Sequence, residues 1–262
     1  MKITSRDNSL LRHARAVRDG KASGSIFVEG LRLGEEALKS GLQIEAVIYS
    51  EQLAGKDRAS GVIHELERVA DKAASVSEKL LDSISYTRTP QGIVVIAQRP
   101  SLQAEEFGRR QGENPLLVIL HRINNPVNVG AIIRTAEAAG ATGIMATGGT
   151  ADPFSPKALR GAMGSTFRLP TWIDVDYQRA IDWSRQNKLQ IVCADVHATK
   201  NFTEIDFSRP TAIIMGAESE GLSAEEVALT DIALKIPMKG STESLNVAVA
   251  AGLLLYEAAR QR

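Results

Sequence analysis

The sequence predicts an α/β protein whose larger part is a parallel sheet covered on both faces. Three observations carry this expectation. Short β-branched or Leu-rich runs alternate with helical stretches from Ser25 to the end of the chain. Two of the runs, Leu116-Leu-Val-Ile-Leu and Thr211-Ala-Ile-Ile-Met, are apolar at nearly every position, as strands buried on both faces require. Polar loops rich in Gly, Asn and Glu follow several runs, and open parallel sheets bind ligands at the carboxyl ends of their strands.

Composition sets the limits within which the elements must fit. A chain of 262 residues suffices for one large domain or two small ones, and 44% hydrophobic with 24% charged residues is the balance of an ordinary folded protein. The formal net charge is zero, with the first hundred residues mildly basic and the rest mildly acidic, so local patches rather than the total decide whether nucleic acid binds. Cys193, the only cysteine, lies in the apolar run Ile191-Val-Cys-Ala and reads as a buried thiol. A lone cysteine excludes an intrachain disulfide framework and a Cys-based zinc site, and the four histidines lack ligand spacing, so no metal is expected. The polar N-terminus and the lack of a long apolar run predict a soluble cytoplasmic protein without a membrane partner.

Residues 2–21 place Lys2, Arg6, Arg12, Arg15, Arg18 and Lys21 around an apolar stripe of Leu10, Leu11, Ala14 and Val17. That spacing predicts a basic amphipathic helix ending near Gly20, its charges facing either solvent or phosphate. Ser25-Ile-Phe-Val-Glu-Gly reads as a strand closed by Gly30, and a helix over 31–40 follows with Gly41 as its cap. A strand over 44–49, helices over 62–70 and 77–84, and the strand Gly92-Ile-Val-Val-Ile-Ala complete a first domain, residues 1–98. Residues 99–114 are polar and bracketed by Pro100 and Pro115, which predicts a linker. The second domain, 115–262, opens with the strand 116–120 and a loop from His121, then a helix over 129–139 and a strand over 143–147. A polar segment over 152–168 carries Lys157, Arg160 and Arg168. Helix 177–187, strands 189–194 and 211–216, and a helix from Ala224 precede a strand that Pro237 stops after Ile236. The final helix, about 245–259, is so poor in charge that it is expected to be buried nearly all round.

Three loops are candidates for chemistry. The first, Asn124-Asn-Pro-Val-Asn-Val-Gly-Ala-Ile-Ile-Arg, places Asn128 where a helix cap belongs and sets Gly130 and Arg134 on one helix face. The second, Gly216-Ala-Glu-Ser-Glu-Gly, carries Glu218 and Glu220 out of a buried strand and is neither a P-loop nor a dinucleotide fingerprint. The third, Lys239 to Asn246, offers Ser244 and Asn246 at the entrance to an apolar helix, which is either a polar ligand site or only a helix cap. None contains the Ser–His–Asp or Cys–His set of a covalent nucleophile, which leaves positioning and charge stabilisation by Arg, Asn, Glu and Ser.

The ordered trio Asn128-x-Gly-Ala-Ile-Ile-Arg, Met215-Gly-x-Glu-x-x-Gly and Ile236-Pro-Met with Ser244-Leu-Asn-Val-Ala resembles the SpoU branch of the SPOUT RNA methyltransferases, over about residues 115–260. Thr4-Ser-Arg-Asp-Asn, Phe27-Val-Glu-Gly and Thr89-Pro-Gln-Gly resemble the substrate-binding domain that often precedes it. The resemblance implies a C-terminal α/β domain with a deep trefoil knot, S-adenosylmethionine as cofactor, a homodimer, and methyl transfer to a ribose 2′-hydroxyl of RNA, rRNA ahead of tRNA. By the same carry-over Arg134, Asn128, Glu218, Ser244 and Asn246 are the catalytic set. Gly216, Ile236, Met238 and Leu245 hold the cofactor, and Arg12, Arg15, Arg18, Lys157, Arg160 and Arg168 contact RNA. One departure stands out: Asn125 and His121 occupy positions where the family usually has Asp. Alternatives are a tRNA methyltransferase, a resistance-type rRNA methylase, or a non-catalytic RNA-binding or assembly protein that keeps the fold.

Overall fold

The structure, a computed structural model, describes residues 1–109, 114–217 and 220–262. The centre of the expected linker, 110–113, and the loop residues Glu218 and Ser219 lie outside the described residues. Contacts divide the chain into two units: 1–100 with 154–168, and 101–153 with 169–262.

The elements follow in chain order. The first stretch holds β1 (Lys2–Ile3), α1 (Ser9–Arg18), β2 (Ser25–Glu29), α2 (Leu31–Lys39), β3 (Ile44–Ser50), α3 (Glu51–Ala54), α4 (Asp57–Val69), β4 (Lys72–Val76), α5 (Glu78–Ile84) and β5 (Ile93–Gln98). Next come α6 (Ala104–Arg109), β6 (Leu116–Leu120), α7 (Pro126–Ala138), β7 (Gly143–Thr147), α8 (Pro156–Ala162), α9 (Ser165–Arg168) and β8 (Thr171–Val175). The chain closes with α10 (Tyr177–Gln186), β9 (Gln190–Ala194), β10 (Lys200–Asn201), β11 (Thr211–Met215), α11 (Ala224–Ala228), β12 (Ile232–Lys235) and α12 (Val247–Gln261).

The first unit is a mixed sheet in the order β1-β4-β3-β5-β2, with β5 antiparallel to both of its neighbours. Helix α1 is amphipathic as expected: Leu10, Leu11, Ala14 and Val17 are buried against Phe27, Ile48 and Ile96, and Asn8 caps its start. Strand β4, Lys-Ala-Ala-Ser-Val, was not expected, because three of its five side chains are small and give no alternating apolar signal. The motif Phe27-Val-Glu-Gly meets Thr89-Pro-Gln-Gly here. Gly30 has φ +106, and a Cβ on it would sit 2.5 Å from the Gln91 Oε1 atom. The neighbouring Glu29 carboxylate is buried and accepts hydrogen bonds from Tyr86 N, Thr87 N and the Thr87 hydroxyl, at 2.6–3.1 Å. These contacts fix the approach to β5.

Residues 154–168 group with this first unit. Their sequence is that of a polar segment, but they form α8 and α9, with Ser155 capping α8 ahead of Pro156 and Met163 ending it in the left-handed region.

The second unit is the predicted parallel sheet. Its order among the described residues is β10-β12-β9-β11-β6-β7-β8, and every neighbouring pair is parallel. Strands β6, β7 and β11 are buried at all positions, as runs sandwiched between helices must be. Because every strand points the same way, the loops after β6, β7, β11 and β12 leave from one edge. Helix α12 departs from expectation. Ala251, Leu254, Leu255 and Ala258 are buried, but Val249, Leu253 and Tyr256 form an apolar stripe that is 41–57% exposed. Low charge makes the helix read as buried all round; among the described residues nothing covers this stripe.

Candidate active site

Helix α7 begins at Pro126, and Asn125 is its cap, accepting from Val127 N at 3.0 Å. This corrects the expectation that Asn128 would cap the helix. Proline at the first helical position with Asn before it is the stronger start signal, and it moves the helix three residues earlier. Asn128 therefore lies inside the first turn with its side chain released from capping. Its Oδ1 accepts from Asn246 Nδ2 at 3.3 Å. Asn246 is itself the cap of α12, accepting from Ala248 N at 2.9 Å and Val249 N at 3.4 Å. Two predicted site residues 118 apart in sequence thus join the starts of two helices that pack on each other.

Arg134 is exposed farther along α7, and among the described residues its guanidinium has no hydrogen-bond or ion-pair partner. A charged group placed on a largely apolar helix, with no internal partner, remains available to an external one. Ser244 is exposed just before α12. Glu218 falls outside the described residues.

The four expected cofactor positions follow β11 and β12. Gly216 leaves β11 in a closed turn: Gly221 N donates to Ala217 O at 2.9 Å, and the two residues form an isolated antiparallel bridge. A Cβ at 216 would lie 2.9 Å from the Gly221 carbonyl carbon, so this position admits glycine without rearrangement and little else. Ile236, Met238 and Leu245 are half-buried along irregular backbone after β12. Close backbone approach at Gly216 and the partly covered apolar side chains after β12 each suit a ligand held largely through main chain.

A network with no signature in the sequence sits at the base of these loops. His121 N donates to Met215 O at 2.9 Å. Its ring lies between Thr147 Oγ1, 2.9 Å from Nδ1, and Glu226 Oε1, 3.0 Å from Nε2. The second carboxylate oxygen of Glu226 accepts from Arg122 at 2.8 Å and from Ser223 N at 2.8 Å. The Tyr177 ring packs tilted against the imidazole, with ring centres 4.3 Å apart, and its hydroxyl donates to Glu226 O at 3.1 Å. Burial holds the His121 imidazole below its ordinary pKa, against the opposing pull of Glu226. Burial alone would raise Glu226, but the Ser223 amide, His121 and Arg122 outweigh it and hold the carboxyl below its ordinary value. A neutral imidazole beside an ionised carboxylate follows. The carboxylate can only accept, so Nε2 carries the proton, and Nδ1 accepts from the Thr147 hydroxyl. Burial of His121 next to a Glu of α11 was not legible, because the partners are 105 residues apart.

The expected RNA contacts all fall in the first unit. Arg12, Lys157 and Arg160 are exposed. Arg18 is committed internally, to Asp19 at 2.8 Å and to Ser83 O and Ser85 O at the end of α5. Arg15 donates to Arg6 O at 2.9 Å, and Arg168 pairs with Glu36. These three hold the fold locally, whatever else they touch. Among the described residues no group of three metal-ligating side chains occurs, and no helix is long and apolar enough to cross a membrane.

Comparison with known proteins bears on both units. The model of the SpoU rRNA Methylase family matches residues 115–256, and that of the MRM3-like substrate binding domain matches 11–95. A 23S rRNA uridine 2′-O-methyltransferase of Streptomyces viridochromogenes is 32% identical over 92% of this chain and 84% of its own length. The 23S rRNA guanosine 2′-O-methyltransferase RlmP of Bacillus subtilis is 30% identical over 89% of this chain and 88% of its own. An AdoMet-bound rRNA methyltransferase from Sinorhizobium meliloti has the same fold, with a TM-score of 0.87 and 32% identity over 99% of this chain and 97% of that one.

Proposed function

The chain belongs to the SpoU rRNA methylase family, and from that premise we propose that it transfers a methyl group from S-adenosylmethionine to a ribose 2′-hydroxyl of ribosomal RNA. The observation that carries the reading is the Asn128–Asn246 hydrogen bond, which brings the first and third motifs of the site together. The named relatives act on 23S rRNA and align through both units, which favours rRNA over tRNA.

S-adenosylmethionine supplies an electrophilic sulfonium methyl when bound. Gly216, Ile236, Met238 and Leu245 are the residues that would hold it. The rest of the work is to orient a weakly nucleophilic hydroxyl and to accommodate the charge that develops as its proton leaves. Arg134 keeps its proton in nearly any protein environment, so it serves better as a phosphate clamp and alkoxide stabiliser than as a base. Asn128 and Asn246 fix the frame in which Arg134 and Ser244 face the sugar, and Glu218 belongs to the same set. Arg12, Lys157 and Arg160 are the RNA contacts with the most freedom to reach phosphate. A cytoplasmic location follows from the substrate.

The uncovered stripe of α12, Val249, Leu253 and Tyr256, supports a homodimer closed by a second copy of this face. A trefoil knot in the C-terminal segment belongs to the same reading. Its support is the strand order, in which β11 enters between β6 and β9 while β12 lies beyond β9.

Calorimetry of the whole chain with S-adenosylmethionine tests the enzymatic reading. Saturable binding is expected, and no heat at millimolar ligand would leave a non-catalytic RNA-binding protein as the better account. Arg134→Ala is expected to lower methyl transfer by about a hundredfold or more while donor affinity is retained. Activity near wild type in that variant would remove Arg134 from its role.

A further inference from the structure

One residue holds both feet of the loop that follows β11. The loop runs from Gly216 to Ser223, between the end of β11 and the start of α11. At its entrance, Met215 O accepts from the backbone of His121 at 2.9 Å. At its exit, Glu226 accepts from the side chain of the same His121 at 3.0 Å. The grip is reinforced on each side. Thr147 at the end of β7 faces the other ring nitrogen, Arg122 reaches the free carboxylate oxygen, and the Ser223 amide closes a capping box on that oxygen. Tyr177 of α10 covers the imidazole face. The His121 and Glu226 side chains are 6% and 19% exposed, so neither ion nor dipole is screened by bulk water. Arg122 adopts φ 54 to reach the carboxylate, a backbone cost that a non-glycine residue bears only where its surroundings compel it.

We propose that His121 is a positioning residue for the methyl donor: by clamping Met215 and Glu226 it fixes the end of β11 against the start of α11 and hence the place of Gly216. This rests on the reading of Gly216 as a donor contact. His121 touches no reacting group in this account; it acts through the loop. The clamp also explains why the first loop departs from the acidic residue expected at position 121. An Asp there would face Glu226 as a like charge, and an imidazole faces it as a donor.

The test is donor affinity together with steady-state kinetics on rRNA, in wild type and five variants. His121→Ala is expected to raise both the Kd and the KM for S-adenosylmethionine by about ten- to a hundredfold, with kcat at saturating donor within about threefold. His121→Gln, which keeps a donor toward Glu226, restores most of the affinity. His121→Asp is the worst single change, and Glu226→Gln added to it recovers binding because the like charge is gone. Ile181→Val, a core trim elsewhere in the same unit, controls for lost stability and leaves donor affinity unchanged. If His121→Ala binds donor like wild type, or if the Gln and double variants rescue nothing, the positioning claim is overturned. A wild-type chain that fails to bind the donor overturns the functional reading instead, and with it the premise of the clamp.

Discussion

Two loops leave the same edge of the parallel sheet, and they are built in opposite ways. The loop after β11 is tied at both ends by His121, closed on itself by the Ala217–Gly221 bridge, and capped into α11 by Ser223 and Glu226. The loop after β12 has no such fastening. Among the described residues no hydrogen bond reaches Pro237 through Leu245, and the next fastening is Asn246, which caps α12 and meets Asn128. The difference divides the labour of a cofactor site. The described ends of one wall are held before a ligand arrives; the described residues of the other carry no such ties and bear more of the ordering cost. Substitutions should therefore act in different ways on the two sides: steric and electrostatic damage on the tied loop, modest entropic change on the open one.

The largest expected effect is on the tied loop. Gly216→Ala forces a Cβ to within 2.9 Å of the Gly221 backbone, and donor affinity measured by calorimetry should fall by about a hundredfold as the turn is displaced. Affinity close to wild type would mean that the turn is not rigid, and the contrast between the loops would collapse. Next is the single anchor of the open loop. Asn246→Ala removes both the cap and the bridge to Asn128, costing about 1 kcal/mol in chemical denaturation and lowering kcat more than donor affinity. A change in donor affinity alone would place Asn246 with the cofactor wall instead.

A smaller effect is the pH dependence of stability. His121 is held below its ordinary value, so as pH falls through about 6.5 the unfolded chain takes up a proton before the folded one does. The stability from the neutral imidazole is therefore whole above that pH and declines beneath it. Glu226, also lowered, adds a loss of the same sign at more acid pH. Thermal unfolding should drop between pH 7.5 and 5.5 by a few degrees more in wild type than in His121→Gln, which cannot titrate. Parallel curves would show that the imidazole is not buried as described. The smallest effect belongs to the open loop: Thr242→Ala should shift stability by no more than about 0.5 kcal/mol in the same assay.

What could be read from the sequence follows the same division. The strands β6, β7 and β11 were legible because burial on both faces demands unbroken apolar runs, and that demand is local. Strand β4 escaped because its small side chains carry no period, and β8 because Thr171-Trp-Ile-Asp-Val mixes polar and apolar residues. The start of α7 lies three residues before the expected one because Asn125 caps it and Pro126 opens it, while Asn128 has the side chain of a cap without the position. The face of α12 was misjudged for a different reason: apolarity states that a surface needs cover, not that the same chain supplies it. Asn128 and Asn246 were legible as polar residues at loop ends, but their bond was not, and neither was the His121–Glu226 pair. Such pairings depend on how β11 is inserted beside β6, which no local pattern records.

The central claim is a reaction, and its product has a chemical signature. The whole chain should be incubated with purified rRNA and S-adenosylmethionine labelled in the methyl group, and the RNA then hydrolysed in alkali. Methylation of a ribose 2′-oxygen blocks cleavage at that nucleotide, so the account predicts label in an alkali-resistant dinucleotide, absent with Arg134→Ala. Label released in mononucleotides, or no label in the RNA at all, would contradict it.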